Sequence, residues 1–172
     1  PAGICIDSKK NILYVVTKDN NSLYSINLAT KKIKKQINLG AEAYSCILSP
    51  DKKELYISLW GGDKVVVYDT QKETISNSIS VGDNPNELCL SKSGKWLYVS
   101  NANDNSVSVI EIRKRIVIET LDAALFPQAP PGSTSNAVAL SADEKTLYIA
   151  NADNNCLAVF DVSNPGSSLS KG

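Results

Sequence analysis

Leu97-Tyr98-Val99-Ser100-Asn101-Ala102-Asn103-Asp104-Asn105-Ser106-Val107-Ser108-Val109-Ile110 reads as two short apolar runs joined by a turn rich in Asn and Asp. Val, Ile and Tyr favour extended backbone, and Asn and Asp tolerate the left-handed conformations a hairpin turn needs. The stretch predicts an antiparallel hairpin. Its opening pair recurs as Leu13-Tyr14, Leu55-Tyr56 and Leu147-Tyr148, so that the four copies lie 42, 42 and 50 residues apart. A period of that size marks an array in which each unit is one supersecondary element.

Aligned on Leu-Tyr, every unit reads alike: a short apolar run, a polar turn, the Leu-Tyr strand, an Asn/Asp/Gly turn, a third strand, another polar turn and a fourth strand. The first runs, predicted as innermost strands, are Gly3–Asp7, Cys46–Ser49, Leu88–Ser91 and Val138–Ser141. No window carries a helical apolar stripe. Four strands in about 42 residues match one blade of a β-propeller. Blurred alternation in Val65-Val66-Val67-Tyr68 suits sheets covered on both faces, and the lysines of Ile33-Lys34-Lys35-Gln36-Ile37 suit a wet outer edge. The expectation is an all-β propeller of four four-stranded antiparallel blades, at about 1–42, 43–84, 85–134 and 135–172. The last blade is incomplete in its fourth strand, and the whole belongs to a larger ring of roughly seven.

The third interval is longer because of Asp122 to Thr134, where Phe126-Pro127-Gln128-Ala129-Pro130-Pro131-Gly132 reads as a loop. With 18 basic and 18 acidic residues the net charge is zero, which disfavours a nucleic-acid binder. Two basic clusters, Lys31–Lys35 and Arg113–Arg115, fall at turns into fourth strands and read as solvated edges. Cys5, Cys46 and Cys89 lie on predicted innermost strands and are expected buried and reduced; Cys156 stands alone. No apolar run is long enough to span a membrane.

The chain has no histidine, which removes the Ser-His-Asp and Cys-His arrangements and the commonest general base. No phosphate-binding glycine loop is present. The Asn-rich turns at 101–106 and 151–156 lack the Gly and the terminal Glu of a calcium loop, so no metal site is expected.

Leu97 to Ile110 resembles the YVTN β-propeller repeat of surface-layer-like proteins, and Leu147-Tyr148-Ile149-Ala150-Asn151 is close to it. Units one and two lack the Asn of that motif. A narrower resemblance, carried by the proline insert and Asn136-Ala137-Val138-Ala139-Leu140-Ser141, is to the propeller that precedes an alkaline-phosphatase-superfamily domain in bacterial proteins. The resemblance implies export to the periplasm, cell surface or medium, and it carries no catalytic residue onto this chain.

The functional expectation is a non-catalytic scaffold or recognition module, without cofactor, whose partner is a protein, a carbohydrate or a neighbouring domain. The alternatives are a lactonase-like propeller enzyme or a propeller holding a redox cofactor at its axis. If a binding face exists, it is where the turns between second and third strands meet the inter-blade links. That face gathers Asn20, Trp60, Asp63, Asn103, Asp104, Phe126 and Gln128. Trp60 and Phe126 offer stacking surfaces, with packing on adjacent blades as the plainer reading. The open ends of the blade row are expected to make the chain self-associate.

Overall fold

The computed structural model describes residues 1–126, 130 and 132–172. Sixteen strands form four antiparallel sheets, each built from four strands consecutive in sequence. Blade 1 comprises β1 (Gly3–Asp7), β2 (Ile12–Thr17), β3 (Ser22–Asn27) and β4 (Lys32–Asn38). Blade 2 comprises β5 (Ala43–Leu48), β6 (Glu54–Leu59), β7 (Lys64–Asp69) and β8 (Thr74–Ser80). Blade 3 comprises β9 (Pro85–Leu90), β10 (Trp96–Asn101), β11 (Ser106–Glu111) and β12 (Ile116–Asp122). Blade 4 comprises β13 (Ser135–Leu140), β14 (Thr146–Asn151), β15 (Cys156–Asp161) and the two-residue β16 (Leu169–Ser170). No helix occurs among the described residues.

The Leu-Tyr pair sets how blades stack. Adjacent residues of a strand point to opposite faces, so in every blade the Leu and the Tyr lie on different sides of the sheet. Blade 2 lays Leu55 and Ile57 against Tyr14, Val16 and Leu23 of blade 1. Blade 3 lays Leu97, Val99 and Ile110 against Tyr56, Val65 and Val67 of blade 2. Blade 4 lays Leu147, Ile149 and Phe160 against Tyr98, Val107 and Val109 of blade 3. Each sealed interface is thus the tyrosine face of one blade on the leucine face of the next.

The inner strands pack side by side in order, β1 on β5, β5 on β9 and β9 on β13. Gly3 permits the first of these approaches, because a Cβ there would stand 2.8 Å from the Ser45 Cα and 2.9 Å from the Tyr44 carbonyl oxygen. The outer strands are wet, as the lysines of β4 led one to expect.

Three expectations need correction. The inner strands of blades 2 to 4 begin about three residues earlier than the apolar runs suggest, at Ala43, Pro85 and Ser135, because a register shift lets a polar segment continue the pairing. Ser49, Ser91 and Ser141 lie beyond the strands and accept the backbone N–H of Glu54, Trp96 and Thr146 at 3.0 Å each. Second, all four cysteines are free, but only Cys46 is buried. Cys46 pairs with Ile57 and shares the sealed leucine face, whereas Cys5 and Cys89 pair with Tyr14 and Tyr98 on the other face and stay half-exposed. Third, Arg115 is no solvated edge residue. Its guanidinium reaches across to Glu54 of blade 2, whose other carboxylate oxygen accepts the Tyr56 hydroxyl at 2.6 Å.

Candidate functional site

The turns between second and third strands share one design. Asn21, Asp63, Asn105 and Asn155 close them with φ of 52°, 49°, 50° and 49°. Asn and Asp adopt this left-handed conformation more readily than other side chains. In the first three blades the carbonyl of that residue accepts the N–H just past the outer strand: Leu39 to Asn21 at 2.6 Å, Val81 to Asp63 at 3.0 Å, Ala123 to Asn105 at 2.8 Å. A turn and a link are thereby tied together on the same side of blades 1 to 3.

Asn20, Trp60, Asp63, Asn103 and Asp104 fall on this side, and they hydrogen-bond to the link 81–84 or within their own hairpin. The Asp63 carboxylate accepts the Asn84 N–H at 3.3 Å, and the Asp104 carboxylate accepts the Asp83 N–H at 2.6 Å. The Asn103 amide donates to Asn84, whose own amide donates to the Trp60 carbonyl at 2.7 Å. These contacts join the turns of blades 2 and 3 through the link 81–84. Asn20 bonds within its own hairpin, accepting from Thr17 and donating to the Tyr24 hydroxyl at 2.7 Å.

Trp60 is half-buried, and the Lys18 ammonium of the neighbouring blade lies 3.7 Å from its ring centroid. Lys18 also stands 3.9 Å from the Glu42 carboxylate, so the indole is covered by a cation held from the side. Phe126 is exposed. Gln128 lies outside the described residues.

A polar cluster that the sequence did not announce lies on the inner strands. The Ser45 hydroxyl is 3.4 Å from the Glu87 carboxylate, and the Asn86 amide donates to Asn136 at 3.0 Å. The register shift near Ala43–Cys46 deprives the Ser45 N–H of a ladder partner, and the Ser58 hydroxyl accepts it at 3.0 Å. Ser58 in turn donates to the Asn86 carbonyl at 2.6 Å, which couples blades 2 and 3. In blade 3 the Glu87 N–H goes to the Ser100 hydroxyl at 3.1 Å and to the Asn86 side chain at 2.8 Å. The signal was present in the sequence as Ser58 and Ser100, each three residues after the Leu of its unit.

The second polar residue of the motif is structural as well. Asn101 is fully buried and donates from its amide to Ser106 and Ser108, both at 2.9 Å. Asn151 donates to the Ala123 carbonyl at 2.6 Å. The Ser and Asn that follow Leu-Tyr therefore satisfy backbone and hydroxyl groups at the blade's inner corner, where unpaired polar atoms are costly.

Carboxylates with shifted acidity are all pushed downward. Asp51 and Asp143 are held low by the hydroxyls of Ser49 and Ser141, and Asp69 by the backbone N–H groups of Lys72 and Gln71. Asp161 is lowered further by Ser163 and by Lys171. Among the described residues no three metal-ligating side chains converge.

Sequential four-stranded sheets stacked face to face around packed inner strands define a β-propeller. Residues 45–172 match the family model described as Lactonase, 7-bladed beta-propeller, and the chain belongs to that family. A segment of 67 residues is 34% identical to Antigen Lp49 of Leptospira interrogans, covering 39% of this chain and 15% of that protein. A solved Lactobacillus plantarum protein superposes on the whole chain with a TM-score of 0.86 at 18% identity, over 56% of its own length. A Bacteroides uniformis structure whose description proposes a 6-phosphogluconolactonase gives a TM-score of 0.79 at 13% identity, over 99% of this chain and 53% of that one. The chain thus spans about half the length of these solved structures and a smaller part of Antigen Lp49. Its four sheets stand against the seven that the family description counts.

Proposed function

We propose that the chain is a non-catalytic part of a propeller of the YVTN-like, exported type, working as a recognition module for a protein, a carbohydrate or a neighbouring domain. The observation that carries this reading is the state of its carboxylates. Those with shifted acidity sit in turns or at the ends of strands, accept hydrogen bonds from nearby residues, and are weaker bases for it. A general base working near neutral pH needs the opposite shift. Asp63 and Asp104, on the proposed binding side, are held by backbone N–H groups of an inter-blade link. They shape that side instead of offering a reactive group.

A lactonase-like activity is the second reading. It is favoured by the family and by the inner-strand cluster, where half-buried Glu87 lies beside Ser45 and the Asn86–Asn136 pair. Assay of the purified chain with sugar lactones and phosphoesters decides between the two. No turnover above the buffer rate supports the recognition module. Lactone hydrolysis that disappears in Glu87→Gln, with folding intact, overturns it in favour of the enzyme.

A further inference from the structure

The boundary between blades 2 and 3 holds a hollow of about 270 Å³, between the end of β8 and the strands β11 and β12. It lies on the outer half of the blades, away from the inner strands that carry Glu87. Ser106 and Ser108 line it from one side of β11, and both are buried. Each hydroxyl accepts an N–H of the Asn101 amide at 2.9 Å, and among the described residues neither donates a hydrogen bond. Two O–H donors, their oxygens held in place, are left for an occupant of the hollow. Asn101 holds them at a cost, since its own Oδ1 is buried without a partner. Asp104 lines the same space, and Oδ2 of its carboxylate accepts the Asp83 N–H. Its other oxygen accepts no hydrogen bond among the described residues. Thr120 adds a further hydroxyl, and Val81 and Val117 supply apolar walls.

Two features distinguish this hollow from a gap that any boundary of the repeat would leave. Gly82 lies outside the left-handed backbone region, so space and not conformation explains it. A Cβ there would collide with the Asp104 carboxylate and stand 2.6 Å from the Asn101 amide nitrogen. The serine pair also occurs in blade 3 alone. At the equivalent places stand Ser22 and Tyr24 in blade 1, Lys64 and Val66 in blade 2, and Cys156 and Ala158 in blade 4. The motif's Asn does not require two hydroxyl partners, because Asn151 donates to the Ala123 carbonyl instead.

We propose that this hollow binds one ring of a carbohydrate through a vicinal diol, as a subsite of the recognition module proposed above, on which reading it rests. The occupant has to accept from two serine hydroxyls and donate to Asp104 at nearby atoms. A carboxylate in the wall disfavours an anion, and O–H donors directed inward disfavour a cation. Adjacent sugar hydroxyls accept and donate without charge, and the C–H face of the ring suits Val81 and Val117. The volume is at the small end of ligand clefts, which fits a single ring.

The test is a titration of the chain, followed by amide NMR shifts, with methyl glycosides of glucose, galactose, mannose and N-acetylglucosamine. At least one should move the amides of Gly82, Asp104, Ser106 and Ser108 with a dissociation constant on the order of 1 mM. Tetrahydropyran-2-methanol, which has the ring but no diol, should not. Ser108→Ala should weaken binding about five- to tenfold, the loss of one hydrogen bond. Thr120 is exposed, so Thr120→Val should fold as the wild type does and weaken binding about two- to fivefold. Circular dichroism and urea unfolding verify both folds. Sugars that leave these amides unmoved, or that bind both variants as tightly as the wild type, overturn the subsite. Equal shifts with tetrahydropyran-2-methanol overturn the diol. Shifts with N-acetylglycine N-methylamide and with no sugar overturn the carbohydrate in favour of a peptide. With no lactone turnover, each of these results leaves the recognition module standing, whereas lactone turnover overturns the module and the subsite's basis with it.

Discussion

The interface between blades 2 and 3 and the two ends of the row carry the same residues in different surroundings. Tyr56 and Tyr98 are each 1% exposed and Tyr148 is 42% exposed, although all three follow the repeat's Leu. Leu55, Leu97 and Leu147 are fully buried, while Leu13 is half-buried. Hydrophobic pattern thus states which face of a strand is apolar. It leaves open whether that face is covered. Burial in an array belongs to the pair of units, as expected where stability is a sum of unit and neighbour terms.

The largest expected effect sharpens this contrast at a single repeat position. Leu97→Ala should cost about 2–5 kcal/mol, the range for emptying a packed site, whereas Leu13→Ala should cost about 1 kcal/mol or less. Urea unfolding monitored by circular dichroism measures both, at a protein concentration where the chain is monomeric. Equal losses would break the distinction between sealed and open faces.

A pH profile probes the sealed faces collectively. Burial raises the Cys46 thiol to about 12, and burial with nearby acidic groups raises Tyr14 and Tyr98 to about 12. These groups stay protonated in the folded chain at pH values where the unfolded chain has lost its protons. Their contribution is complete below their unfolded values, near 8.5 for the thiol and 10 for the phenols, and declines as pH rises toward 12. Stability should therefore fall through the alkaline range, and Cys46→Ala should flatten the first part of that fall. A native chain whose stability is constant from pH 8 to 11 would contradict the burial of these groups.

Gly82→Ala tests the tie between blades 2 and 3. A Cβ at Gly82 would run into the Asp104 carboxylate and the buried Asn101 amide. A loss of about 1–3 kcal/mol is expected, as for other insertions into filled space. The same substitution at Gly61, whose nearest neighbour is the Glu42 Cβ at 3.4 Å, should be milder. The smallest effect belongs to Trp60→Ala, because half its ring is in water and its cation contact is worth roughly 0.5–1 kcal/mol at an exposed site. If this variant keeps its stability but loses binding to a protein or glycan captured by the wild type, Trp60 is a contact residue. If it loses stability alone, Trp60 serves only the Lys18 packing.

Much of the fold was legible because its signals are local. The Leu-Tyr period gave the blades, the Asn and Asp of the turns gave the hairpins, and the lysines of β4 gave the outer edge. The inner strands were misjudged by a few residues because Ala43-Tyr44-Ser45 and Pro85-Asn86-Glu87 look like turn sequence. Their pairing depends on Ser58 and Ser100, about 13 residues away, which supply hydrogen bonds the shifted ladder lacks. The turns of the proposed face were legible from their Asn and Asp residues, yet the partners of Asp63, Asn103 and Asp104 were invisible, since Asn84 and Asp83 lie about 20 residues away in sequence. Arg115 looked like surface charge because nothing near it in sequence reveals Glu54.

The sequence by itself determined the unit: four strands, an apolar face on each side of the sheet, left-handed turn residues, and no histidine with which to build the usual hydrolytic centres. Those properties depend on residue type and on spacings shorter than one blade. Only the tertiary structure decided which apolar faces are sealed, which turn carboxylates are already occupied, and that Glu87 and Asn86 meet Ser45 and Asn136 on the inner strands. Each of those outcomes joins residues from different blades, and the energies that select them, desolvation and hydrogen bonding, act only once the blades touch.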